Sequence, residues 1–230
     1  MSGFINTIDV LGDDVVIDSI IDRTITEFKD DTLTSVGKYA FYNCTALSNV
    51  DIPNATGLYG YSFQGCTALV SINAPNVTNQ DLPWEHYQFK NCTALKSVNL
   101  PALTQVKTDM FNGCSSLTKI VLPSATGTES CAFQNCGSLK IADFPALTSF
   151  AWNTFQGSNV TAVLLRNTAK VATLSHAMLT GVDGYFYVPR TLVDSYKAAT
   201  NWSSFADKFR ALEDYTVDGT ITGELDETKI

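Results

Sequence analysis

Five times in this chain the same phrase returns. Phe41-Tyr-Asn-Cys-Thr-Ala-Leu47 is followed by close copies that open at Phe63, Phe89, Phe111 and Phe133. The steps are 22, 26, 22 and 22 residues, and a degraded sixth copy opens 22 residues further on at Phe155. No other feature constrains the fold as much. Each unit is too short to bury its own apolar side, so the units must stack as the coils of a solenoid around one continuous core.

The shared opening is Phe-x-(Asn/Gly)-Cys-x-x-Leu, usually continued by x-x-(Val/Ile)-x-(Ile/Leu)-Pro. Its third position alternates Asn43, Gly65, Asn91, Gly113, Asn135, Gly157. These two residue types share a tolerance of positive φ, so a left-handed turn residue is expected there in every coil. Leu47, Val50 and Ile52, then Leu69, Ile72 and Ala74, then Leu95, Val98 and Leu100 place apolar side chains around a short strand whose intervening residues point outward. Pro53, Pro75, Pro101, Pro123 and Pro145 end these strands, because proline cannot donate the next ladder hydrogen bond.

Cys44, Cys66, Cys92, Cys114 and Cys136 all stand three residues after the repeat Phe. A residue that recurs once per coil forms a stacked file, and buried free Cys behaves as a small hydrophobe. We expect reduced, inert thiols in this file, with Cys131, outside it, as the one that reacts with a labelling reagent. Against 15 basic residues stand 23 acidic ones, a net charge of -8. That balance, without clustered Lys and Arg, excludes a nucleic-acid or anionic-membrane surface. No apolar run approaches the roughly 20 residues of a membrane span, and Met1 to Asp14 lacks the basic-then-apolar pattern of a secretion leader, so neither membrane insertion nor export by that route is expected.

The pattern Phe-x-x-Cys-x-x-Leu-x-x-Val-x-Leu-Pro resembles the BspA-type leucine-rich repeat over about Ser35 to Pro189. The resemblance implies a β-rich α/β leucine-rich-repeat solenoid with a short-strand parallel sheet on one face, an N-terminal cap and a C-terminal helical cap. It also implies attachment to host proteins or to other cells, the role of most members of that family. The expected division is 1–34 as N-terminal cap or attachment segment, 35–189 as solenoid, 190–212 as helical cap and 213–230 as acidic tail. Thr191 is a candidate cap for a helix near Leu192 to Ala199, with Trp202 and Phe205 plugging the last coil. In the tail, Asp218-Gly219 between β-prone residues signals a hairpin. The string Tyr187 to Trp202 is similar to caps found in gut bacteria and their phages. The two termini are expected to be ordered by neighbouring subunits of an assembly.

Chemistry has few carriers. Only His86 and His176 are present, about four coils apart, and no nucleophile elbow, phosphate loop or paired Cys-x-x-Cys occurs, so no enzyme, metal or cofactor is expected. Binding is the better question. The single insertion, Asn79 to Tyr87, brings Trp84, His86 and Tyr87 onto a bulged loop, and solenoid insertions map to loops on one face. Two positions before the repeat Phe stand Tyr39, Tyr61 and Tyr87, where later coils carry Asp109, Cys131 and Asn153. Stacking would align the three rings about 5 Å apart, with Tyr59 and Trp84 close by. Such a ladder is either a ligand platform, since Tyr and Trp are favoured at binding hot spots, or simply packs on itself to shield the turn. Val121, Ile141 and Leu164 fall on the outward row of the sheet, to be hidden by the cap or by a neighbouring subunit. The reading is a non-enzymatic recognition module for a protein or surface polysaccharide, expected as a homo-oligomer or part of a larger assembly. A phage virion protein is the first placement, a bacterial cell-surface adhesin the second, and a spacer without ligand the third.

Overall fold

The computed structural model describes residues 9–11, 14–17, 22–78, 86–217 and 220–221. The apolar triplet and the proline of each coil produce the expected parallel strand. Glu27–Lys29, Asn49–Asp51, Ser71–Asn73 and Ser97–Asn99 form one sheet. Lys119–Val121, Ile141–Phe144, Val160–Leu165, Val182–Val188 and Phe209–Ala211 form the next along the same face. Val50 pairs with Ile72 and Ile120 with Ala142, so repeat positions pair with themselves and every side chain keeps its face from coil to coil. The result is a β-solenoid of about eight turns.

A second face carries two-residue strands. Ser35–Val36 and Gly57–Leu58 pair beyond Asp14–Ile17, against which Asp9–Leu11 runs antiparallel at the N-terminal edge. Gln105–Val106, Gly127–Thr128, Ser149–Phe150 and Thr173–Leu174 continue it. The corresponding stretch of the coil between them, 79–85, lies outside the described residues.

Between the faces lie the internal files. Phe41, Phe63, Phe89, Phe111, Phe133 and Phe155 are fully buried, with successive ring centroids 4.9, 5.5, 5.4, 5.3 and 5.7 Å apart. The five cysteines of the neighbouring file are buried and free, as expected. They are more than small hydrophobes. Each thiol from Cys66 to Cys136 donates to the carbonyl of the repeat Phe one coil back, at 3.0 to 3.2 Å. Ser158 takes over the position in the sixth copy and donates to Phe133 O at 2.8 Å. Burial pushes the Cys44 thiol up to about 11 and those of Cys66 and Cys136 to about 12, so the file stays protonated and keeps donating.

The expected left-handed residue is present in every copy, from Asn43 (φ 57°) to Gly157 (φ 72°). The alternation has a packing cause as well. A Cβ placed on Gly113 would meet Oδ1 of Asn91 at 2.5 Å, and Gly65 and Gly157 stand in the same relation to Asn43 and Asn135. The amide of one coil fills the space that a side chain on the next would need.

At the C-terminal end the expected cap forms, with one correction. The helix Val193–Ala198 is preceded by a 3-10 turn, Arg190–Leu192, and its N-cap is Leu192, with no side-chain cap hydrogen bond. Leu192 N donates to Pro189 O, so the turn begins at the proline and takes Thr191 inside it, away from the capping position. Trp202 is fully buried, donates Nε1 to Ala172 O at 2.6 Å, and packs on Phe150, Phe186 and Phe209. Tyr196 closes beside it, its hydroxyl accepting from Ala172 N at 2.9 Å. Beyond the last strand, Thr216–Val217 pairs antiparallel with Thr220–Ile221, the register of the expected hairpin. Its turn residues Asp218 and Gly219, and the two extreme termini expected to be ordered by subunits, lie outside the described residues.

Candidate functional site

A second left-handed position recurs on the turn edge, two residues before each repeat Phe. It holds Tyr39, Tyr61 and Tyr87 (φ 62°, 62° and 67°), then Asp109, Cys131 and Asn153. Asp and Asn are at home there, whereas an aromatic residue carries a cost of about 1 kcal/mol or more. The three rings stack as expected: Tyr39 on Tyr61 at 4.7 Å and Tyr61 on Tyr87 at 4.8 Å. Tyr42 meets Tyr39 edge-on at 5.6 Å, and Tyr39 is 48% exposed. Tyr59, half-buried, donates its amide to Val36 O. Trp84, the remaining aromatic of the expected platform, lies outside the described residues.

Lysines frame the ladder. Lys38 Nζ stands 5.7 Å from the Tyr39 ring and 5.8 Å from Tyr61, and Lys90 Nζ stands 4.8 Å from Tyr87, both within cation–π reach. Lys90 also pairs with Asp109 at 3.6 Å, which ends the aromatic run in a charged contact. The next rungs are polar. Glu129 accepts from the Thr108 amide and hydroxyl at 3.0 Å each and pairs with Lys107 at 3.2 Å. Burial pushes the Glu129 carboxyl up, but these partners outweigh burial and hold it below its ordinary value. His86 Nδ1 lies 3.5 Å from Glu129 Oε2, within ion-pair reach yet without hydrogen-bond alignment. Cys131 is half-buried on the same edge, its thiol pushed up by burial and by Asp109. Among the described residues no group of three His, Cys, Asp or Glu side chains could hold a metal ion, and no helix is long and apolar enough to cross a membrane.

The family description "BspA type Leucine rich repeat region" matches residues 22–84 and 83–178, in six copies. The chain belongs to the BspA-type leucine-rich repeat family. No curated protein matches it in sequence. Among solved structures, a leucine-rich repeat protein from Bacteroides ovatus is similar at 21% identity and TM-score 0.51, covering 73% of this chain and 50% of that one. The pneumococcal vaccine antigen PcpA is similar at 12% identity and TM-score 0.50, over 88% and 46%. A leucine-rich cell surface protein from Faecalibacterium prausnitzii is 21% identical at TM-score 0.48, over 76% and 42%. The BspA-type chain thus spans half or less of each of these three proteins.

At the second candidate surface of this BspA-type chain, Leu164 is covered by the chain itself, while Ile141 stays half-buried. Leu164 is 1% exposed and forms a small apolar cluster with Ala162 and Tyr215, against which Ile141, Tyr187 and Leu212 pack. Of the two covers expected for the outward row, the intramolecular one is present at Leu164. Val121 is half-buried. In the same row Asp143 is buried and held by both arms of Arg166 at 2.8 and 2.6 Å. Sequence reasoning missed Lys38, Lys90 and the Glu129 pairings. The signal that could have found the edge was present, since Asp109 and Asn153 mark a left-handed position in the tyrosine column.

Proposed function

We propose that this BspA-type module is a recognition protein that docks a macromolecular partner along the tyrosine edge, and that its role is binding instead of catalysis. The carrying observation is the backbone conformation of Tyr39, Tyr61 and Tyr87. At that position Asn or Asp would form the same turn more cheaply, as Asn153 and Asp109 do, so three consecutive aromatics are retained for what their rings present outward. Cys131 shows that the position also tolerates an ill-suited residue singly. Replacing Tyr39 and Tyr61 together with Asn keeps the turn and removes the rings. Such a variant should melt as the parent does while losing adsorption to intact bacterial cells, and unchanged adsorption would leave the spacer reading in its place.

The placement follows two lines. The likeness of Tyr187 to Trp202 to caps found in gut bacteria and their phages fits a virion component that meets the host surface, and family membership supports an adhesin on a bacterial cell. Gold-labelled antibody against the chain, applied to purified particles and to washed cells, separates them by which of the two is decorated.

A further inference from the structure

We propose that a second copy of this chain inserts its tail as a strand between the coils that open at Phe89 and Phe111, with Leu225 entering the gap between their strands.

The stack is parted there on one face. Ser97–Asn99 and Lys119–Val121 are the same strand in consecutive repeats, yet each ends its own sheet and the two do not pair. Most Cα pairs between them exceed 8 Å, whereas paired strands lie about 4.8 Å apart. The bonds that cross this face elsewhere are missing between these two. Ala74 N donates to Asn99 O and Leu122 N to Asp143 O, but Leu100 N makes no such bond to Val121 O. Lys96 N donates to Val70 O and Lys140 N to Thr118 O, but Thr118 N makes none to Lys96 O. Val98 is half-buried in consequence, where Val50, Ile72 and Ile120 are buried. The same coils are joined on their other sides: Phe89 N donates to Met110 O at 2.9 Å, Asn91 N to Asn112 O at 2.7 Å, and Gln105–Val106 pairs with Gly127–Thr128.

Such a gap suits one more extended backbone. Two strand spacings make about 9.6 Å, and two unpaired edges facing each other are the template for strand addition. The occupant has to repeat the local pattern, one core-facing apolar residue between two outward polar ones, as in Asn49-Val50-Asp51, Ser71-Ile72-Asn73 and Ser97-Val98-Asn99. Beyond the hairpin the tail carries that pattern as Glu224-Leu225-Asp226. In either strand direction one of the two carboxylates falls beside Lys119 on the outward row. Reach decides whose tail enters. Ile221 pairs with Thr216, next to Tyr215, which clusters with Leu164. From the strand of Leu164 to the middle of the gap is three spacings, about 14 Å. Leu225 follows Ile221 by four residues, at most about 14 Å fully extended, which leaves no length to rise over the outward side chains. A neighbouring copy has no such limit.

Sedimentation velocity of the full chain over rising concentration tests this. The parent should associate, and Leu225→Asp should weaken the association at least about tenfold, as expected for losing one buried apolar side chain. Full chains carrying Val98→Cys, mixed with chains carrying Leu225→Cys and mildly oxidised, should give a covalent dimer in greater yield than either variant alone. A parent that stays monomeric at every concentration overturns the proposal and leaves the gap to a peptide of another protein. Association that Leu225→Asp leaves unchanged overturns it as well, as does a mixture that yields no extra dimer. A chain bearing both substitutions that cross-links within itself overturns the second copy in favour of the chain's own tail.

Discussion

The two ends of this solenoid share one interior and differ in almost everything they show to solvent. In the N-terminal coils the outward row of the first sheet is a polar ladder: Lys29 pairs with Asp51 at 3.1 Å, Asn73 donates to Asp51 at 2.8 Å and Asn99 to Asn73 at 2.6 Å. The turn edge of the same coils is aromatic. In the C-terminal coils the row carries half-buried Val121, the Asp143–Arg166 pair and Leu164, which packs in one cluster with Leu212 and Tyr215, while the turn edge passes to Asp109, Cys131 and Asn153. Stacking uses the Phe, Cys and Leu files, which are alike throughout. The positions between them are free to vary, and they divide the molecule into an end that is open and an end that is sealed.

The shared interior predicts the largest effect. Phe63→Ala and Phe133→Ala should each cost about 3 to 5 kcal/mol in urea unfolding, and a difference between them larger than their spread would show that the core is not common to both ends. The outward row should separate the ends next. Leu164→Ala removes a sealed side chain and should cost about 2 to 4 kcal/mol. Asn73→Ala, at the corresponding sheet face of the open end, loses one amide rung and should cost about 1 kcal/mol; equal costs would mean that the tail seals nothing. The acidic limb of the stability profile comes third. Glu129 titrates below its ordinary value of 4.5, so its contribution is complete above that pH and is lost as pH falls through the folded-state value. Melting of Glu129→Gln across this range should show a shallower acid decline than the parent. The smallest effect belongs to the open edge. Tyr61→Asn gives up ring stacking and relieves a left-handed tyrosine, so the melting free energy should change by less than about 1 kcal/mol.

What could be read from the residues followed from recurrence. The Phe and Cys files, the left-handed Asn and Gly and the strand-ending prolines each recur at least five times, and the stacked tyrosines in three consecutive coils, so one physical reason applied again and again. What escaped lacked that support. The second left-handed position was hidden because Tyr and Cys do not advertise positive φ as Asn153 does. Leu212 and Tyr215 lie beyond the repeats, so nothing in their spacing announced that they would fold back over Leu164. The thiol-to-carbonyl bonds were illegible because Cys in a file reads as apolar until Ser158 is seen making the same bond. Thr191 matched a local capping rule that the turn starting at Pro189 overrode.

The fit of each Asn amide above the following Gly gives this solenoid a parity. Removing a single coil would set amide against amide or leave two vacant turns face to face, whereas removing an adjacent pair restores the match. Growth and shortening of such a chain by recombination should therefore proceed in doublets, making the heritable building block twice the length of the visible repeat.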